Sequence, residues 1–105
     1  MKALSEIELH DAVLKRFAVD HEQGIATIEL DLYENEDDRN RRGARITFSE
    51  VEAVAQIVDM HRMKDNSSAG NINQWVPSLS AGTTYIYLVD GCISVTANTV
   101  KVEFL

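Results

Sequence analysis

The stretch "YIYLVDGCISVTA" (residues 85–97) restricts the fold more than any other part of this chain. Asp90-Gly91 is the dipeptide favoured at the centre of a two-residue type I′ turn, and it lies between two runs rich in β-formers. A two-residue loop there pairs Val89 with Cys92, Leu88 with Ile93 and Ile86 with Val95. Ile86, Leu88, Ile93 and Val95 then share one face, at the period of two a half-buried strand requires. A turn signal at Asn98 separates this hairpin from a last strand, "TVKVEFL", in which Val100, Val102 and Phe104 alternate with Lys101 and Glu103.

A second hairpin is expected over residues 13–32. Val13, Phe17 and Val19 fall on one face of its first strand, with Lys15 as the exception. Ala26, Ile28, Leu30 and Leu32 fall on one face of its second. "HEQG" (residues 21–24) makes the connection, and Gly24 is able to take the positive φ such loops need. That loop sets Phe17 opposite Ile28 and Arg16 opposite Glu29, so opposite charges meet on the solvent side.

The middle of the chain carries two conflicting signals. "RITF" (residues 45–48) reads as a strand. In "SEVEAVAQIVDMHRMK" (residues 49–64), Ser49 with Glu52 three residues on fits a capping box, and the Ala, Gln, Met and Glu content favours a helix. Local propensity therefore predicts a helix near residues 49–63. "DNSSAGN" reads as a loop and "INQWVPSL" as a short extended segment whose Pro77 marks an edge or a strand end.

Size and composition narrow the function classes. A chain of 105 residues is expected to be one domain with a modest core, and 45% hydrophobic against 26% charged residues suits a globular chain. No apolar run approaches the ~18 residues of a membrane span, and the first residues lack the layout of a secretory signal. One cysteine, Cys92, rules out an internal disulfide and suits a reducing cytoplasm. The net charge of −7 argues against generic nucleic-acid binding, which needs cations to replace phosphate counterions. Residues 1–53 hold 13 acids and 7 bases, and residues 54–105 hold 4 acids and 3 bases. The acidic half would speed encounter with a basic partner, although acids also keep a small domain soluble.

Signatures of chemistry are sparse. His10-Asp11 is half of a metal-hydrolase pattern, but the other histidines, His21 and His61, show no HxxxH or HxxE spacing. The alternative is that Asp11 binds backbone amides where the first strand begins. Cys92 has no CxxC partner and reads as a semi-buried structural thiol. No phosphate loop, GxSxG or paired-carboxylate pattern appears, so neither metal nor cofactor is expected.

"YENEDDRNRRGAR" (residues 33–45) is the most unusual segment. Glu34, Glu36, Asp37 and Asp38 precede Arg39, Arg41, Arg42 and Arg45, without the spaced oxygens and central glycine of a calcium loop. One reading is a solvated, self-compensating loop. The other is a projecting acidic lobe for a basic partner, with the arginines as donors at the interface. Trp75, in the nearly uncharged "GNINQWVPSL", is either core, the commoner fate, or an interface anchor.

Four stretches taken together carry a resemblance. "LHDAVLKRFAVD", "ARITFSEVEAV", "AGNINQW" and "IYLVDGCISVTANTVKV" resemble, across most of the chain, small β-rich bacterial immunity proteins of polymorphic-toxin and contact-dependent inhibition systems. The resemblance implies that the chain stays extended after Phe48, against the capping box. It also implies that His10-Asp11 and Gly70-Asn71-Ile72 maintain the fold, and that the loops meet the toxin.

The expected fold is a mainly antiparallel β domain, a sandwich or half-open barrel of about seven strands with at most one helix. The expected function is a cytoplasmic immunity protein that occludes one cognate toxin domain, a nuclease being the activity an acidic surface suits best. Glu34, Glu36, Asp37, Asp38, Arg39, Arg41, Arg42 and Trp75 are the candidate contacts. Two rivals stand beside it. One is a structural or regulatory β domain that homo-oligomerises through a sheet edge, using the nearly uncharged residues 66–100. The other is a small enzyme with a site made of His10, Asp11 and His61.

Overall fold

The computed structural model describes residues 3–105. After a short 3₁₀ turn (Leu4–Glu6), six strands follow: β1 (Val13–Asp20), β2 (Ile25–Leu32), β3 (Arg42–Val58), β4 (Ile72–Val76), β5 (Gly82–Leu88) and β6 (Gly91–Phe104). One helix, α1 (Met60–Asp65), lies between β3 and β4. The strands form one open antiparallel sheet in the order β1-β2-β3-β6-β5-β4. The chain is mainly β, as expected, but the sheet is single and open where a sandwich or half-open barrel was anticipated. It has six strands because Asn98 is not a turn: residues 91–104 run on as one strand.

The β1–β2 hairpin has the expected register from Arg16 onward, with Phe17 opposite Ile28 and Arg16 opposite Glu29, but Val13, expected on the face of Phe17 and Val19, stands opposite Asp31 on the other face. Lys15, the residue that breaks the alternation, is the extra residue of a bulge between Leu14 and Arg16. Gly24 closes the connection with φ +66.

The contested middle is a strand to Val58. β3 spans 17 residues, and residues 51–58 pair with β6. Helix preference amounts to tenths of a kcal/mol per residue, and a long cross-strand ladder carrying Val51, Val54, Ile57 and Val58 outweighs it. The helix is capped ten residues after Ser49, where the Asp59 carboxylate accepts from the Arg62 amide at 3.0 Å.

β3 and β6 are long enough to serve two half-sheets. Residues 42–48 of β3 pair with β2 on one side and the far end of β6 on the other. Residues 51–58 pair with the start of β6, which goes on to β5 and β4. The ladder is irregular between them, where Glu50 takes φ +51, its side chain meets Asn98, and Glu52 is the extra residue of a bulge, a feature that bends a strand. Inner-face residues of both halves, including Ile28, Ile46, Phe48, Ile86, Ile93 and Val95, belong to one buried cluster. Each such side chain contributes about 1.5–3 kcal/mol by leaving water. Among the described residues no helix is long and apolar enough to cross a membrane.

Candidate interaction surface at the acidic end of the sheet

Two segments converge beside the β2–β3 connection. Residues 6–11 alternate buried Ile7 and Leu9 with exposed Glu6, Glu8 and His10. The loop of residues 33–41 faces them. Together they line an open cleft of about 910 Å³ carrying six carboxylates, from Glu6, Glu8, Asp11, Glu34, Glu36 and Asp38, beside His10, Tyr33 and Asn35. Among the described residues no guanidinium or ammonium lines it.

The loop is held in place. Asp38 accepts from the Asn35 amide at 2.9 Å, and its own amide donates to the Asn35 carbonyl at 3.1 Å. The Arg42 guanidinium sits 2.8 Å from Glu34 and lies over the Phe104 ring, 4.8 Å from its centroid. Arg41 ties three segments together by donating to the carbonyls of Asp11 (3.0 Å), Ser68 (2.8 Å) and Ala69 (3.0 Å), and it rests over Tyr33. The three bonds leave from three different nitrogens, Nε, Nη1 and Nη2, a spread that the single nitrogen of lysine does not reproduce. Replacing Arg41 by lysine or methionine should cost about 1–2 kcal/mol in a urea titration, a few net hydrogen bonds discounted for exposure.

The candidate contacts therefore separate. Glu34, Glu36 and Asp38 line the cleft, and Asp37 and Arg39 are exposed in the same loop. Arg41 and Arg42 are engaged in holding the loop. Trp75 is no surface anchor. It is 8% exposed, and its indole N–H donates to the Ile7 carbonyl at 2.8 Å, because β4 carries it beneath the first segment. Trp75 thereby positions Glu6 and Glu8 from below. These two acids were missed in the sequence, although the alternation Glu6-Ile7-Glu8-Leu9 was a legible sign of a half-buried segment.

The His-Asp pair proves to interlock with Gly70-Asn71-Ile72. The Asp11 amide donates to the Ile72 carbonyl at 3.0 Å, and the amides of Asn71 and Ile72 both donate to the Ala12 carbonyl. Asp11 has φ +64, an αL position that aspartate tolerates. Gly70 has φ +122 and passes so close that a Cβ there would lie 2.8 Å from the Asp11 carbonyl oxygen. His10 Nδ1 lies 2.9 Å from the Asn73 carbonyl and its Nε2 3.4 Å from the Asp11 carboxylate. His61 lines a different hollow with Met60, Met63 and Lys64, and His21 lies in the β1–β2 connection. His10 and Asp11 of the enzyme reading thus stay together, while His61 lines a separate hollow. Among the described residues no group of three or more His, Cys, Asp or Glu side chains is placed to hold a metal ion.

Comparison with family models, with curated proteins and with solved structures finds no match to this chain.

Proposed function

We propose that this chain is a protein-binding module that blocks a basic site on one partner. In its most specific form it is a cytoplasmic immunity protein neutralising a cognate toxin domain, a nuclease. The six-carboxylate cleft carries the reading. A nuclease concentrates cations where it holds phosphates, so a concave acidic surface matches that site in sign and shape. The pinned loop loses little conformational freedom on docking, which removes part of the cost of association. The charge of −7 speeds capture, and inhibition is by stoichiometric occlusion. The single free thiol, Cys92, is compatible with a reducing compartment.

The test is binding to the toxin domain encoded beside this chain. Glu36 and Asp37 are exposed, whereas Asp38 secures the turn, so the clean variant is Glu36→Lys with Asp37→Lys. It should leave the unfolding midpoint unchanged and weaken a one-to-one complex by about 1–3 kcal/mol, more where an acid is fully desolvated against the partner. Association should slow more than dissociation accelerates, and added salt should narrow the difference between variant and wild type. Equal affinities for a verified cognate toxin would remove the acidic loop from the interface.

A further inference from the structure

Among the described residues the sheet has four longer stretches of free edge, and three of them carry features that discourage pairing. β1 has the Lys15 bulge and Arg16; β4 is five residues long, is bulged at Asn73 and runs into Pro77; the far end of β6 carries Lys101 and Glu103. The fourth is different. From residue 52 to 58, β3 is hydrogen-bonded to β6 on one side and has no strand on the other among the described residues. Residues 53–58 there contain no charge, proline or glycine. Ile57 is 77% exposed and Val54 38% exposed. On the outer face, Ile57 and Ala55 continue through Cys92 and Ser94 to the stacked rings of Tyr85 and Tyr87.

We propose that this edge pairs with itself, antiparallel, across a two-fold axis at Ala55, joining two copies of the chain into one continuous sheet. Centring on Ala55 is the register in which the whole of residues 52–58 maps onto itself. It keeps outer face with outer face. It sets Ile57 against Ala53 and Val54 against Gln56, large against small, and sets Glu52 against Val58 and Asp59 against Val51. No like charges meet. Electrostatics points to the same edge, because a second copy also carries −7 and is repelled wherever acids gather. Between the acidic loop beside Arg42 and the centre of the open edge lies about 40 Å of strand, so pairing here keeps the two acidic ends apart. The uncharged surface anticipated from residues 66–100 is thus an extension of this contact, whose core is β3. The inference is independent of any toxin.

Sedimentation velocity over a concentration series tests it. The wild-type protein should pass from monomer to dimer as concentration rises from low micromolar to near millimolar. Ala55→Lys places two ammonium groups face to face at the axis and should raise the dimer dissociation constant by at least about tenfold. Ala55→Glu should do the same alone. An equimolar mixture of the two variants should recover the dimer, an outcome that a generally damaged edge would not give. Ala55 is exposed, so each variant should unfold at the wild-type temperature, which verifies folding. A wild-type protein that stays monomeric throughout overturns the proposal. So does a dimer indifferent to Ala55→Lys, or a mixture that stays monomeric.

Discussion

Replacing Gly91 by alanine is expected to remove about 3–5 kcal/mol of stability, up to half or more of what a domain of this size possesses. Gly91 opens β6 with φ +149, a conformation close to glycine-only, which alone costs another residue about 1–3 kcal/mol. Strain is only one part. A Cβ there would lie 2.0 Å from the Ile57 carbonyl oxygen and 3.2 Å from the Val58 Cα, and both belong to backbone already fixed in the β3–β6 ladder. Relief requires the two strands to separate where the turn brings them together, an overpacking cost of about 1–3 kcal/mol. Gly24 is the control, since it also has positive φ but a Cβ there meets nothing nearer than 4.0 Å. Gly24→Ala should cost about 1 kcal/mol. Equal losses for the two variants in guanidinium unfolding would show that the approach to β3 is unimportant.

Asn71→Ala should cost about 2–4 kcal/mol. Its buried amide bridges segments distant in sequence. The side-chain oxygen accepts from the Leu14 amide at 2.7 Å, and the side-chain nitrogen donates to the Met63 carbonyl at 3.2 Å. Alanine leaves a buried donor and a buried acceptor unpaired, at about 1–3 kcal/mol each where water does not reach them. Hydrogen exchange separates this from loss of packing. Protection should fall first at the Leu14 amide and in α1, before the β2–β3 ladder. Uniform loss of protection would mean that Asn71 acts only through global stability.

The parts of this architecture read correctly in the sequence are those decided locally. For β1 and β2, alternation from Arg16 onward, a four-residue connection and the Arg16–Glu29 pairing agree, and the register follows there, while the Lys15 bulge turns Val13 to the other face. The last hairpin shows where alternation stops helping. Its inner face was read correctly, but the observed pairs are Leu88 with Gly91, Ile86 with Ile93 and Thr84 with Val95, two positions from those expected. A slip of two leaves every side chain on its own face, so the hydrophobic pattern does not register it. The turn is centred on Val89-Asp90, and Gly91 is used for its approach to β3, a neighbour 33 residues earlier that local spacing does not reveal. The same holds at Asn98, which has Glu50 across the ribbon and stays in strand. Half of the acidic cleft was legible from charge density in residues 34–38. The other half depends on Trp75 reaching Ile7 across the fold.

The sharing of β3 and β6 between the two half-sheets has a consequence for how the chain is made. Phe48, Ile46 and Ala44 in the first half-sheet are paired with Val100, Val102 and Phe104. Synthesis delivers β1, β2 and the first part of β3 early, yet the strand that flanks β3 emerges some fifty residues later. Until residues 99–104 leave the ribosome, that side of β3 is an open template, with Phe48 uncovered and the slow long-range closure still ahead. Before residues 99–104 are available folding is thus confined to the earlier hairpins, and the first half-sheet closes only once they pair with β3. A nascent chain in which residues 99–104 are still inside the ribosome should be cut readily by protease, while one that exposes them should resist.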